Sequence, residues 1–184
     1  CQHNFTQLTE ISSHSAKRLI ICPNFLAIAQ IKALLATTTI HIGAQTCSAH
    51  AHGAYTGQVD AASLAQAGCS YAIIGHSERR IHNHENDQEI ALQTTQLLHH
   101  GITPIICIGE THEQKQSGNT AAILVAQLLP VFLAIAQQKN TTPICIAYEP
   151  VWAIGSTATP TNHEIQEAFS AIQQEAQNLI PDTP

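Results

Sequence analysis

The stretch Tyr71-Ala72-Ile73-Ile74-Gly75-His76-Ser77-Glu78-Arg79-Arg80 changes character at Gly75. Its first half is an apolar run of strand length. Its second half is polar and charged, and suits the start of a helical turn. Glycine at the junction allows close backbone approach. His76 then emerges at the strand's C-terminal end, where parallel α/β folds gather their chemistry. Ile144-Cys145-Ile146-Ala147-Tyr148 runs in the same way into Glu149-Pro150-Val151-Trp152-Ala153-Ile154-Gly155. A histidine and a glutamate delivered like this are a natural proton-transfer pair.

Apolar runs of strand length recur at residues 18–22, 39–45, 71–75, 103–108 and 143–148. Helical patterns lie between them. Residues 26–35 are apolar at helical spacing, and residues 61–67 form a short amphipathic turn that Gly68 stops. Residues 85–100 end at Gly101, a C′ glycine. Residues 119–138 are long and apolar, with Pro130 expected to kink or break the helix. The last helix opens on the capping-box pattern Thr161-Asn162-His163-Glu164 and keeps Ile165, Ala168, Phe169 and Ile172 on one face. A partial helical segment, residues 5–16, precedes the first strand. This alternation means βαβ units and a parallel sheet. Both a five-stranded doubly wound sheet and part of an eight-stranded barrel, which takes about 250 residues when whole, fit it. Periodicity does not choose between them.

The 184 residues are expected to form a single domain, 1–184. Charged residues make up only 11%, well below the usual quarter, so Gln, Asn, Thr and Ser must cover the surface. A net charge of −6 argues against a nucleic-acid or anionic-membrane partner, so any anion site has to be local. No apolar run reaches the length of a membrane span, and no signal peptide opens the chain. Six cysteines without a C-x-x-C pair sit mostly in or beside strands, which reads as buried free thiols in a reducing, cytoplasmic setting. The sequons at Asn4 and Asn140 then carry no meaning. Cys1 in place of Met implies that the natural N-terminus is missing.

At a helix N-terminus the positive end of the dipole favours a neutral imidazole, which can donate a hydrogen bond to a carbonyl and stabilise an enediolate. The competing reading of a strand-end histidine is a core imidazole bonded to backbone. Glu149 enters a partly apolar site, where a carboxylate is a stronger base than in water. Its competing reading is a structural glutamate paired with Arg79 or Arg80.

Together the two strings resemble the triosephosphate isomerase family. The resemblance also takes in Gly53-Ala54-Tyr55-Thr56-Gly57-Gln58, Cys107-Ile108-Gly109-Glu110 and Thr157-Ala158-Thr159-Pro160, in collinear order. It implies a (β/α)8 TIM barrel, here covering about strands 2–6 and their helices. It further implies the interconversion of dihydroxyacetone phosphate and D-glyceraldehyde 3-phosphate in glycolysis and gluconeogenesis, through an enediolate. Carried over, His76 is the electrophile and Glu149 the base that moves a proton between C1 and C2. Glu78 matches the glutamate that supports the site from behind, and Gly155 should offer its backbone N–H to the substrate phosphate. The loop from about Gln45 to Gln58, with Thr56 near its tip, matches the one that projects into a neighbouring subunit. Arg79 and Glu85 match interface-side positions. The family works as a homodimer without metal or organic cofactor.

The departures are specific. The resemblance begins inside the first helix, so the strand carrying the family's asparagine and lysine is absent. None of Lys17, Lys32, Lys115 or Lys139 stands in a matching context. The chain stops where the seventh strand should begin, before the glycine-rich phosphate cradle. The 184-residue chain alone is therefore expected to turn over poorly. Between Gly155 and Pro160 the lid is two residues shorter than the family's. It is expected to close poorly and release some enediolate to phosphate elimination, measurable as methylglyoxal. A truncated or degenerate homologue, acting at most as an assembly or binding module, is the alternative function.

His50-Ala51-His52, His82-Asn83-His84 and His99-His100 invite a metal reading. No cysteine or carboxylate completes a four-ligand set at zinc-like spacing, so surface histidines replacing scarce Lys and Arg explain them better. Residues 154–157 lack the glycine spacing and lysine of a P-loop. Asp60 with Ser63 reads as a helix start.

Overall fold

The structure, a computed structural model, describes residues 18–138 and 142–181. The helical segment expected at 5–16, both sequons' asparagines, Lys17 and Lys139 lie outside the described residues. Five strands, β1 (Ile20–Ile21), β2 (His41–Ala44), β3 (Tyr71–Ile74), β4 (Thr103–Ile108) and β5 (Cys145–Tyr148), form one parallel sheet. Their spatial order is their chain order, β1-β2-β3-β4-β5. Doubly wound sheets reverse direction at a switch point, whereas a barrel winds onward strand by strand. The order therefore settles the alternative left open by periodicity: this is a curled section of a (β/α)8 barrel.

Among the described residues seven α-helices separate or follow the strands: α1 (Ile28–Leu34), α2 (Ala61–Ala67), α3 (Ser77–His82), α4 (Asp87–His99), α5 (His112–Gln116), α6 (Thr120–Ala136) and α7 (Asn162–Leu179). Local chemistry sets their starts. The Asp60 carboxylate accepts from the Ser63 N–H at 2.7 Å, as expected of a helix start. Asn86 with Glu89, Thr111 with Gln114 and Thr161 with Glu164 form reciprocal capping boxes. The α4 helix ends at His100 and Gly101 (φ +68°), close to the position the glycine marked.

Ile74, Ile106 and Ile108 on the sheet are sealed beneath Ile90 and Leu97 of α4 and Leu124, Leu128, Val131 and Phe132 of α6. This apolar layer also explains Pro130. The helix does not break there: α6 runs on to Ala136 with the proline inside. Leu128 before Pro130 and Val131, Phe132 and Ile135 after it are all buried, so packing on both sides outweighs the lost backbone hydrogen bond. The α7 stripe is narrower than its spacing promised. Ala168 and Ile172 are buried, but Phe169 is 45% exposed. Around the helix the order is Ala168, Ile172, Ile165, Phe169, which puts Phe169 at the far edge of the apolar stripe.

Cys22, Cys47, Cys69, Cys107 and Cys145 carry free thiols. Burial pushes Cys47 and Cys107 up from the ordinary 9.0 to about 12. Among the described residues no helix is long and apolar enough to cross a membrane. The raised thiols bind protons more tightly folded than unfolded. Their contribution to stability is thus complete below pH 9.0 and lost as pH rises towards about 12. We expect both thiols to resist a disulfide reagent at about pH 8 until denaturant is added, since the thiolate is the reacting form. Prompt labelling of Cys107 in the folded chain would contradict this burial.

Candidate active site

His76 stands two residues beyond β3 as the N-cap of α3, and its Nδ1 accepts from the Glu78 N–H at 3.4 Å. A ring nitrogen that accepts carries no proton, so the proton sits on Nε2. Nε2 points at Glu149, with 3.2 Å to Oε2. Glu149 Oε1 accepts from the Ser77 N–H at 2.7 Å. The carboxylate is thus held at a helix start by one backbone donor and one imidazole donor. Its own N–H donates to Ile108 O at 2.8 Å, continuing the sheet beyond β5.

This arrangement answers both competing readings. The imidazole of His76 meets a carboxylate through Nε2 and is 35% exposed, so it is no core histidine. Neither arginine pairs with Glu149. Arg79 instead donates from Nε and Nη2 to Glu85 at 2.8 and 2.6 Å. Arg80 donates to Gly75 O at 2.7 Å and Cys107 O at 3.2 Å, and pairs with Asp87. It ties the ends of β3 and β4 to the start of α4.

Two glycines make the approach possible. Gly75 adopts φ +67°, and a Cβ there would meet Ile90, Arg80 and the Cys107 carbonyl at 3.0–3.1 Å. A Cβ on Gly109 would lie 2.7 Å from the Glu149 carbonyl carbon and closer still to its oxygen.

Glu110 is a site residue that sequence reasoning quoted without giving it a task. It is 1% exposed. Tyr148 donates its hydroxyl hydrogen to the Glu110 carboxylate at 3.1 Å, and Trp152 donates from Nε1 at 2.8 Å. Burial and the Glu110 charge push the Tyr148 hydroxyl well above the usual phenol range. The residues on both sides of Glu149-Pro150-Val151 are therefore fastened to one buried anion. The signal was present: Glu110, like Glu149, is a lone carboxylate just beyond an apolar strand.

Glu78 and Gly155 stand further out. The Glu78 side chain is 75% exposed, with Oε2 3.9 Å from His76 Nδ1. Gly155 is exposed with φ +70°, beyond the 3₁₀ turn Val151–Ala153. A cleft of about 460 Å³ opens beside His76, lined also by Thr46, Ile73, Glu78 and Arg79. A neighbouring cavity of about 390 Å³ holds Arg79, Glu85, Gln93, Thr56 and Gly57.

His50 stacks on Tyr55 and His52 meets Asp60, while His99 and His100 pack edge to face. Among the described residues no three His, Cys, Asp or Glu are placed to hold a metal ion.

A one-way parallel sheet, with a histidine and a carboxylate meeting at its C-terminal end, defines a partial α/β barrel of the kind that supports proton-transfer chemistry. The chain belongs to the triosephosphate isomerase family, whose family model matches residues 2–183. A triosephosphate isomerase from Ralstonia nicotianae is 43% identical over 155 residues, covering 84% of this chain and 62% of that protein. That of Cupriavidus necator is 40% identical over 171 residues, covering 92% and 69%. That of Bordetella pertussis is 43% identical over 153 residues, covering 83% and 61%. The chain thus spans 61% to 69% of the length of these relatives.

The contact between Gly109 and Glu149 generates a mutational test. Gly109→Ala forces the backbone at Glu149 to move, at a cost of about 1–3 kcal/mol. The urea midpoint should fall accordingly. An unchanged midpoint would show that the two strand ends are not packed this closely.

Proposed function

We propose that the chain catalyses, or forms the proton-transfer part of a unit that catalyses, the interconversion of dihydroxyacetone phosphate and D-glyceraldehyde 3-phosphate. The observation that carries this reading is the meeting of His76 Nε2 with the Glu149 carboxylate at 3.2 Å. A substrate carbonyl that takes the Nε2 hydrogen frees Glu149 Oε2 to face the neighbouring C–H. Glu149 removes the C1 proton, and the electron pair left behind forms the C1=C2 bond of the enediolate. The negative charge moves to the carbonyl oxygen, where the His76 donor stabilises it. The hydroxyl proton on O1 then passes to O2, with the His76 imidazole in reach as its relay, and the proton held by Glu149 returns to C2 as the electron pair on O1 forms the aldehyde C1=O bond, with no change of oxidation state in the molecule as a whole.

Glu78 backs the site through its backbone N–H, which holds the imidazole at Nδ1, and Gly155 gives its N–H to the phosphate when the loop folds over the cleft. No metal or organic cofactor is required by this chemistry. The partner is a second copy of the chain, engaged through the loop from Gln45 to Gln58. Residues 50–58 are exposed without a break, and the buried Glu85 Oε2 and Gln93 Oε1 lack a hydrogen-bond partner beside Arg79. Free thiols and the absence of a net positive charge fit a cytoplasmic protein that binds neither nucleic acid nor membrane.

Exchange of the C1 hydrogen of dihydroxyacetone phosphate in deuterium oxide, followed by NMR, isolates the proton step from full turnover. We expect exchange above the uncatalysed rate, with Glu149→Gln and His76→Gln each slowing it about a hundredfold or more. Exchange that is absent, or that survives Glu149→Gln unchanged, would favour an assembly or binding module. The same mixture should accumulate methylglyoxal at a higher fraction of product than a relative with the longer lid.

A further inference from the structure

Trp152 lies three residues beyond Glu149, at the start of an exposed loop, and Glu164 lies in the first turn of α7 at the loop's other end. One side chain reaches both. Lys115, from α5, places its Nζ 3.3 Å from the centre of the Trp152 ring. The same Nζ pairs with Glu164 Oε1 at 2.7 Å.

We propose that Lys115 is a positioning residue that clamps the two ends of this loop together and thereby fixes the turn carrying Glu149. The ring has two attachments at right angles in kind: an edge bond from Nε1 to buried Glu110, and a cation over its face. Glu164 is equally committed. Its Oε2 accepts from the Thr161 N–H at 2.7 Å and the Thr161 hydroxyl at 2.9 Å, leaving Oε1 for Lys115. The 3₁₀ turn passes the constraint back: Ala153 N–H donates to Pro150 O at 2.9 Å, and Val151 N–H to Glu110 O at 3.1 Å. Glu149 is thus the neighbour of a turn anchored at both sides.

Hydrogen bonding to Lys115 first, and to Thr161 second, holds the Glu164 carboxyl down at about 2. A cavity of about 320 Å³ beneath the clamp, walled by Glu110, Tyr148 and Trp152, gives the indole room to move once the ammonium is gone. This assignment concerns the loop's geometry, so it does not depend on which substrate the site takes.

Trp152 is the single tryptophan of the chain, so its emission reports on this contact alone. The test compares emission and acrylamide quenching in the intact chain, Lys115→Gln, Lys115→Arg and Glu164→Gln, with far-UV circular dichroism confirming the fold. Lys115→Gln should red-shift the emission and raise the quenching constant about twofold, as the covered ring face opens to solvent. Glu164→Gln should move both in the same direction by less. Lys115→Arg should restore the parent values, because a guanidinium also stacks on an indole. Parent-like quenching in Lys115→Gln, or an Arg variant that behaves like the Gln variant, overturns the clamp. If Lys115→Gln loses its fold, Glu164→Gln decides: unchanged quenching there refutes the proposal.

Discussion

The hydrogen bond from the Ser77 N–H to Glu149 joins residues 72 apart in sequence, across the end of a strand that belongs to neither. Neighbouring strands stand about 4.8 Å apart, so in a flat sheet the ends of β3 and β5 would be separated by about 9.6 Å with β4 between them. The bond forms because the sheet curls and both chains turn inward over the end of β4. Gly109 sits at that end without a side chain, and the Glu149 backbone passes where its Cβ would be. Curvature, a bare backbone position and a helix N-terminus therefore act as one constraint. Removing any of them separates the base from the imidazole.

One half-buried charge and one buried charge supply the stiffness that this geometry needs. Arg80 spends its donors on the carbonyls of Gly75 and Cys107 and on Asp87, so the turn holding His76 is braced against β4 from beneath. Glu110 does the corresponding work for Glu149 by gathering Tyr148 and Trp152. Each is a charge with several hydrogen-bond partners, the condition under which a buried ion is tolerable and its removal disruptive. His76 remains partly open to solvent while Glu110 is enclosed. A proton-transfer site needs that division, because the reacting atoms must be reachable and their geometry must not drift.

Much of this was legible in the residues. Strand positions followed from apolar runs, and helix starts followed from Asp60 and Thr161, because capping is a local transaction between neighbours. His76 and Glu149 were legible as strand-end residues. The choice between barrel and doubly wound sheet came from the motif resemblance and not from periodicity, since it depends on which strand pairs with which, and a periodic pattern carries no such information. The break at Pro130 is absent for the same reason: its local cost is visible in sequence, while the packing on both sides of it is a tertiary fact. The double role of Lys115 was also hidden, because Trp152 and Glu164 come near it only once α5 and α7 are in place.

The site turns on one proton: His76 presents a hydrogen on Nε2 to the Glu149 carboxylate while its Nδ1 accepts from the helix. Nitrogen-15 NMR of the histidine-labelled chain reads this directly, with the His76 signals assigned by their loss in His76→Gln. The expected spectrum shows a pyridine-like Nδ1 and a pyrrole-like, protonated Nε2. A proton on Nδ1, with Nε2 bare, would contradict it.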